Sequence, residues 1–304
     1  MSGRAEGRDE GRDGPGPGGP EGSGGIAVVV VNYESGPALA RCVERLRQHD
    51  LAELVVVDNG SRDGSLDELR RRVPGVIVVD PGANLGYGAA ANRGAAATSA
   101  PALLVCNSDL EVGPESIAIL ARELDLRSGC GAVGPLIRDA DGRPYPSARR
   151  FPSMIDAAGH AMLGLFAPDN RFTRSYHQAD LAGTSGTREV DWLSGACLML
   201  RRCAFEEVGG FDESYFMYAE DVDLCWRLAR AGWKAAYAQA AEVTHLQGVS
   251  TEAHPYRMIL EHHRSLLRFA ARSSVGWRKA LLPLVAAGLA VRVGLAGVAR
   301  LTRR

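Results

Sequence analysis

The sequence predicts an α/β protein built on a mostly parallel sheet with helices on both faces. Short, continuously apolar runs such as "IAVVVVNY" and "ELVVVDNGS" alternate with segments of helical periodicity. Strands that are apolar along their whole length are typical of parallel sheets buried on both faces. Polar residues follow several of these runs, and in such sheets ligands bind at the carboxyl ends of the strands.

Strands and helices alternate in the first half of the predicted domain. We predict helices in "ALARCVERLRQH", "SLDELRRRV" and "GYGAAANRGAAATS". The strands that separate them are "IAVVVVNY", "ELVVVDNGS", "GVIVVD" and "ALLVCNSD".

The alternation ends after Glu123. "GAVGPLIRDADGRPYPSARRFPS" predicts a strand and a hairpin around Asp141 and Gly142. Residues 151–188 have a mixed pattern, which indicates a substrate-shaping insertion or a flexible loop. A helix from about Glu220 should end at Gly232, and "KAAYAQ" should form a further strand.

Composition excludes several classes of protein. The chain has 304 residues, 46% of them hydrophobic and 23% charged, which is ordinary for a globular protein. A formal net charge of −1 gives no reason to expect nucleic-acid binding. The six cysteines contain no CxxC pair, so we expect reduced, mostly buried thiols in a cytoplasmic protein rather than a zinc site or disulfides.

The two ends of the chain differ from the region between them. Residues 1–24 contain no large apolar side chain after Met1, which predicts a disordered tail and not a signal peptide. "LLPLVAAGLAVRVGLAGVA" is apolar except for Arg292 and is flanked by basic residues. This pattern is compatible with a helix in the membrane interface, a docked core helix or a membrane span.

These patterns divide the chain into three parts. Residues 1–24 form the tail, residues 25–275 the folded domain, and residues 276–304 a basic, apolar helical tail that we expect to associate with a membrane. Within the domain, residues 25–125 form one half and residues 126–275 the other.

Several strand-end residues have two interpretations. Asn32, Tyr33 and Asp58 lie where strands end, and Asp58 could form an Asx turn or accept a hydrogen bond from a nucleobase. Asn84 could cap the next helix or face a nucleotide, with Gly86 permitting close approach of a phosphate or sugar oxygen. This loop has neither a Walker motif nor the GxGxxG spacing of a dinucleotide-binding turn.

Two acidic clusters and one histidine indicate a second possible site. Asp109 in "NSD" could belong to a turn, and Glu220 and Asp221 could complement a helix dipole. Together with His245, however, they are the groups needed to bind a hard divalent cation and to supply a general base.

Several motifs of the sequence resemble those of a known family. The motifs "VVVDNGSRDGS", "NLGYGAAANRG", "LLVCNSDLEV", "WLSGACLMLRR", "GGFDESYFMYAEDVDLCWRLARAGW" and "THLQGVS" resemble those of family 2 glycosyltransferases. The resemblance is strongest to the bacterial rhamnosyltransferase branch, and it covers about Ile26 to Phe269. It implies the GT-A fold, which has a Rossmann-like, mostly parallel sheet.

The resemblance also implies roles for individual residues. Asp58 would bind the nucleobase, and Asn84 would help to hold the nucleotide. Asp109 would bind Mg²⁺ or Mn²⁺, and His245 would approach the metal or the diphosphate. Asp221 would be the catalytic base, with Glu220 as the competing candidate. The donor and acceptor pocket would be lined by Trp192, Ser194 and Gly195.

One residue departs from the family pattern. The metal-binding DxD element begins here with Asn107, so one carboxylate is missing. The amide oxygen of Asn107 can still be a neutral ligand, but weaker metal binding is expected.

The resemblance implies an inverting transfer of a sugar, most closely L-rhamnose from dTDP-rhamnose. The acceptor would be a polyprenyl-diphosphate-linked sugar or another saccharide at the inner face of the plasma membrane. His262, His263 and Arg264 could contact a diphosphate or could lie on a solvated helix face. A transferase for galactofuranose, glucose or mannose, and a catalytically silent nucleotide-sugar-binding scaffold, remain alternatives.

Overall fold

The computed structural model describes residues 25–151, 186–246 and 255–301. The predicted tail, residues 1–24, and nearly all of the predicted insertion at 151–188 lie outside the described residues. The described strands are β1 Ile26–Asn32, β2 Glu53–Asp58, β3 Ile77–Val79, β4 Ala102–Asn107, β5 Leu110–Val112, β6 Cys130–Arg138, β7 Pro144–Tyr145, β8 Ala148–Arg149, β9 Thr187–Val190, β10 Trp192–Leu193, β11 Cys197–Arg201 and β12 Lys234–His245.

Helices flank these strands throughout the described chain. They are α1 Pro37–Leu46, α2 Ser65–Arg72, α3 Tyr87–Ala96, α4 Ser116–Asp125, α5 Arg202–Glu207, α6 Glu220–Arg230, α7 Pro255–Ser273 and α8 Leu282–Leu301, with a 3-10 helix at Gly276–Leu281. The predicted helices and strands of the first half are all present. The turn around Gly142 joins β6 to β7, and Gly232 follows α6 with φ +94°, as predicted.

The main sheet has the strand order β3-β2-β1-β4-β11-β6-β12-β5. The first four strands are parallel, which confirms the prediction for the first half. In the second half β11 runs antiparallel to both β4 and β6, and β12 is parallel to β6. One sheet therefore continues through both halves of the domain.

Two hydrophobic layers cover the faces of this sheet. Alternate residues of β1 point to opposite faces, so Val29 packs with Ala91 of α3 and Val30 packs with Leu39 of α1. All six cysteines are free, and only Cys203 is exposed. The apolar strands thus bury both faces, which is why their sequences show no alternation of apolar and polar residues.

The strand register gathers the polar strand ends at one edge. Asn32 lies beside Asp58 in the β1–β2 pairing, and Val31 lies beside Asn107 in the β1–β4 pairing. The antiparallel pairing of β12 with β5 aligns His245 with Leu110, the residue after Asp109. The hydrogen bonds between paired strands therefore bring together residues that are distant in sequence.

The two C-terminal helices lie next to each other. Phe269 of α7 is buried against Trp192, Val222 and Cys225, which joins α7 to the rest of the second half of the domain. Helix α8 packs against α7. In the parts of the chain that the structure describes, no helix combines the length and the apolar character needed to cross a membrane.

A buried ion-pair network fastens α7 to α6. Asp223 of α6 is 0% exposed and accepts a hydrogen bond from Arg227 Nε at 2.7 Å. Its other carboxylate oxygen lies 3.3 Å from Arg272 Nε of α7, and Arg272 also pairs with Asp212. The Asp223 carboxylate therefore compensates two arginine charges in a water-poor environment.

Asp223→Ala is expected to lower the free energy of unfolding by about 3–5 kcal/mol, because it leaves a buried arginine charge without its partner. Chemical denaturation measures this change. Asp67→Ala is a matched control, since Asp67 also lies in the first turn of a helix and pairs with an arginine, but is 87% exposed. It should cost below about 1 kcal/mol. Equal losses for the two variants would contradict the proposed role of burial.

Candidate active site

A cavity of about 450 Å³ opens at the carboxyl ends of the central strands. Its wall contains residues of the first half, such as Asn84 and Asp109, and residues of the second half, such as Asp221. Most of the residues predicted from the sequence line it: Tyr33, Asn84, Asn107, Asp109, Trp192, Ser194, Gly195, Glu220, Asp221 and His245. The predicted nucleotide site and the predicted acidic site are therefore one cavity.

Asn32, Asp58 and Gly86 are not among the described lining residues, although each is adjacent in sequence to one. Asn32 Nδ2 donates to Asp58 Oδ1 at 2.7 Å, and the Ser61 backbone N–H donates to Asp58 Oδ2 at 3.2 Å. Asp58 is thus held in the Asx-type turn that was one of its two interpretations. The same turn delivers Asn59 to the cavity wall.

Asn84 organises the loop that enters α3. Its Oδ1 accepts hydrogen bonds from Asn59 Nδ2 and from the Gly86 backbone N–H, both at 3.0 Å. Gly86 has φ +89°, and a Cβ there would lie 2.2 Å from the Phe216 carbonyl oxygen. Glycine is therefore required at position 86, since any side chain would collide with the loop before α6.

Asp109, His245 and Asn107 form a polar cluster at one side of the cavity. His245 Nε2 lies 3.0 Å from Asp109 Oδ1 and 3.0 Å from Asn107 Nδ2. Asp109 is only 9% exposed. The cluster contains one carboxylate, one imidazole and one amide, which are groups that can ligate a divalent cation.

Asp221 is oriented by backbone groups. Its Oδ2 accepts a hydrogen bond from the Gly195 N–H at 2.9 Å, and its Oδ1 accepts one from the Val222 N–H at 2.8 Å. Tyr87 Oη in turn donates to the Gly195 carbonyl at 2.5 Å. The carboxylate is therefore fixed in position by α6, by the segment before β11 and indirectly by α3.

The backbone before α6 is held in an uncommon conformation. Tyr218 has φ +68° and Ala219 has φ +64°, in the left-handed region that residues with a side chain rarely occupy. These two residues deliver Glu220 and Asp221 to the cavity. Such strain is typical of functional sites, where the surrounding structure compensates its cost.

Burial controls the charge of the two acidic residues. Burial raises the pKa of Asp221, and hydrogen bonds from Gly195 and Val222, with the nearby Arg149 charge, act in the opposite direction. Burial and the neighbouring Asp221 carboxylate raise the pKa of Glu220 to about 8. Of the two carboxyl groups, Glu220 is therefore the one that is protonated at neutral pH.

Comparison with known proteins decides the family. A family model described as "Glycosyltransferase like family 2" matches residues 23–263. The chain is 43% identical over 270 residues to an N-acetylglucosaminyl-diphospho-decaprenol L-rhamnosyltransferase of Mycobacterium tuberculosis, which covers 84% of this chain and 87% of the relative. This chain belongs to glycosyltransferase family 2.

Further comparisons agree with this family. The glycosyltransferase is 24% identical over 260 residues to a rhamnosyltransferase of Escherichia coli, covering 82% of this chain and 94% of the relative. Its fold is similar to that of a mannosyltransferase from Pyrobaculum calidifontis solved with GDP-Man and Mn²⁺, with a TM-score of 0.57 and 17% identity over 90% of this chain and 75% of that chain. The similarity confirms the GT-A fold.

Two side chains that no sequence motif marks also shape the glycosyltransferase cavity. Tyr87 lines the cavity and lies in a motif distinguished by its glycines, which gives no sign of the role of its hydroxyl. Arg149 lies on the two-residue strand β8 and is held by the Pro146 carbonyl and the Tyr145 hydroxyl, with its guanidinium 5.0 Å from the centre of the Trp192 ring. No motif marks it in the sequence.

Helix α7 contributes one of its two adjacent histidines to this wall. His262 lines the cavity, and its ring meets that of Tyr218 edge-on, with the ring centres 5.1 Å apart. Burial and nearby positive charge lower the pKa of His262 to about 4, so it is neutral at physiological pH. Arg264, by contrast, is exposed, as expected for a solvated helix face.

Proposed function

We propose that this glycosyltransferase moves L-rhamnose from dTDP-rhamnose to a polyprenyl-diphosphate-linked sugar, with inversion at the anomeric carbon. The observation that supports this proposal most strongly is the 43% identity, over 84% of the chain, to a mycobacterial enzyme named for rhamnosyl transfer to a decaprenyl-diphosphate-linked acceptor. The described cavity contains an oriented carboxylate and strand-end amides, which this reaction needs.

Asp221 is proposed as the general base. It removes the proton from the acceptor hydroxyl as the hydroxyl oxygen forms a bond to the anomeric carbon. The bond between that carbon and the diphosphate oxygen breaks, and its electron pair leaves with the nucleoside diphosphate. The raised pKa of Asp221 makes it a stronger base than an exposed aspartate, while the backbone hydrogen bonds keep it aimed.

Asp109 and His245 are the proposed ligands of Mg²⁺ or Mn²⁺, with Asn107 beside them. Among the described residues no three His, Cys, Asp or Glu side chains gather at one point. A hard cation held beside Asp109 and His245 could also take oxygens from water and from the diphosphate. When bound, such a cation neutralises the charge that develops on the leaving diphosphate.

In this proposal the two halves of the domain bind different substrates. Residues 25–125 bind the nucleotide through Asn32, Tyr33, Asp58, Asn84 and Gly86, some of them by supporting the loops rather than by contact. Residues 126–275 receive the acceptor, and Trp192, Ser194 and Gly195 line the pocket that donor and acceptor share. The closeness of the Gly195 N–H to the Asp221 carboxylate, 2.9 Å, supports this arrangement.

A donor screen tests the proposed substrate. The purified enzyme is incubated with Mg²⁺ or Mn²⁺, a lipid-diphosphate-linked N-acetylglucosamine, and one of dTDP-rhamnose, UDP-galactofuranose, UDP-glucose or GDP-mannose. We expect a glycosylated lipid with dTDP-rhamnose only. Transfer from one of the other donors instead would identify a different sugar, and nucleotide binding without turnover of any donor would favour a silent scaffold.

We also propose that residues 276–304 attach the enzyme to the inner face of the plasma membrane. Trp277 is 74% exposed and Leu284 is 72% exposed, next to the basic residues Arg278 and Lys279. Apolar side chains beside positive charges are typical of helices at an anionic lipid surface. Replacing both Trp277 and Leu284 by aspartate should release the enzyme from sedimenting vesicles that contain anionic lipid; unchanged sedimentation would contradict attachment by this segment.

A further inference from the structure

Glu220 has a buried oxygen that nothing described in the fold satisfies. The residue is 7% exposed and lies on the cavity wall. Its Oε2 has no hydrogen-bond partner among the described residues. A buried carboxyl oxygen without a partner carries a large cost in free energy, so it is expected to meet a polar group of a ligand.

Burial and the Asp221 carboxylate on the same helix favour the neutral form of Glu220, and the backbone N–H of Glu220 acts in the opposite direction. Tyr87 on α3 and Tyr218 in the loop before α6 also lie close to Glu220, because its charge raises the pKa of both hydroxyls. None of these groups is a cation, and the Arg149 charge that lowers the pKa of Asp221 is not among the influences on Glu220. A buried carboxyl next to a carboxylate, without a compensating positive charge, holds a proton at neutral pH.

The position of Glu220 limits what it can contact. It precedes the proposed base Asp221 in sequence, and it lies against the first turn of α3, where a Cβ on Gly88 would be 3.7 Å from Glu220 Cβ. The acceptor hydroxyl and the anomeric carbon must meet within reach of Asp221. The polar groups that the donor places there are the hydroxyls of the transferred sugar.

We propose that Glu220 is not a base but a protonated carboxylic acid that donates a hydrogen bond to a hydroxyl of the transferred sugar. This assignment rests on the proposed function, since it takes Asp221 as the base. It makes Glu220 a specificity-determining residue: a site that must donate to a hydroxyl discriminates against donors that lack a hydroxyl at that point.

Kinetics of Glu220→Gln and Glu220→Ala, with Asp221→Asn as the comparison, test the assignment. Glutamine also donates a hydrogen bond, so Glu220→Gln should keep kcat/KM within about tenfold of wild type at pH about 7. Wild-type activity should fall as pH rises through the pKa of about 8 at Glu220, because the proton is lost. Glu220→Gln should lack this alkaline fall. A Glu220→Gln enzyme as inactive as Asp221→Asn would overturn the proposal.

Binding measurements separate the sugar contact from a structural role. Calorimetry compares dTDP-rhamnose with dTDP for each variant. Glu220→Ala should weaken binding of dTDP-rhamnose by about tenfold and leave binding of dTDP unchanged. Equal affinity of wild type and Glu220→Ala for dTDP-rhamnose would contradict the sugar contact.

Infrared difference spectroscopy tests the protonation state of Glu220 without a measurement of turnover. A carbonyl band of a protonated carboxylic acid should be present at neutral pH in wild type, disappear as pH rises, and be absent from Glu220→Gln. In Asp221→Asn the band should disappear at lower pH, since the neighbouring negative charge is gone. If the wild type transfers no sugar, the proposed function fails, while absence of the band alone would overturn the protonated state of Glu220.

Discussion

Replacing Asp221 by asparagine is expected to lower the rate of sugar transfer by about 100- to 10,000-fold, the range typical for loss of a general base. Asparagine has nearly the same shape, and its side-chain oxygen can still accept the N–H of Gly195 or Val222. It cannot take the proton of the acceptor hydroxyl. Donor binding should therefore persist, which calorimetry with dTDP-rhamnose measures beside the transfer assay.

The wild-type pH profile tests the same assignment. Because the raised pKa of Asp221 belongs to a base, kcat/KM should fall as pH is lowered through that pKa, at higher pH than an exposed aspartate would give. Asp67→Asn, the same substitution at an exposed position, should leave the profile unchanged. An Asp221→Asn enzyme with wild-type turnover would exclude Asp221 as the base.

Replacing Asp109 by alanine is expected to reduce transfer by at least about 100-fold and to weaken Mn²⁺ binding. Asp109 supplies the carboxylate of the polar cluster, and its Oδ1 lies 3.0 Å from His245 Nε2. Without it, only an imidazole and an amide remain for the cation. Titration of free Mn²⁺ by electron paramagnetic resonance, with and without dTDP, measures affinity independently of turnover.

Asn107→Asp is the matched variant, and it is expected to change the Mn²⁺ affinity in the opposite direction. It restores a second carboxylate beside His245, where the wild-type amide lies 3.0 Å from the imidazole. We expect tighter Mn²⁺ binding in this variant than in wild type. Wild-type Mn²⁺ affinity in Asp109→Ala, together with no response to Asn107→Asp, would contradict a cation site at this cluster.

The first half of the fold could be predicted because its strands are continuously apolar and each is followed by a helix. The ends of β1, β2 and β4 follow directly from the runs that stop at Asn32, Asp58 and Asn107. In parallel strands these ends meet at one edge of the sheet. Periodicity and strand direction were therefore sufficient to place the polar residues of this half together.

The second half depends on pairings that its sequence pattern does not specify. Strand β11 inserts antiparallel between β4 and β6, and β12 shifts register between Ala238 and Glu242 before it reaches His245. A shift of one residue would turn His245 to the other face of the sheet. The contact between His245 and Asp109 could therefore be expected only from the family resemblance.

Other features of the site are backbone contacts, which side-chain motifs do not reveal. Gly195 matters because its N–H holds Asp221 and its carbonyl accepts the hydroxyl of Tyr87, 108 residues earlier. Asp58 was predicted as a residue that contacts the nucleobase, yet its carboxylate is engaged by Asn32 and Ser61. Its role as a direct contact stays a prediction.

The configuration of the reaction product tests the central proposal most directly. Wild-type enzyme is given dTDP-β-L-rhamnose, Mn²⁺ and a lipid-diphosphate-linked N-acetylglucosamine, and the product is examined by nuclear magnetic resonance. Direct displacement assisted by Asp221 predicts a single α-L-rhamnoside on the acceptor, which Asp221→Asn should form at least about 100-fold more slowly. A β-L-rhamnoside, or free rhamnose as the only product, would contradict an inverting transfer to this acceptor.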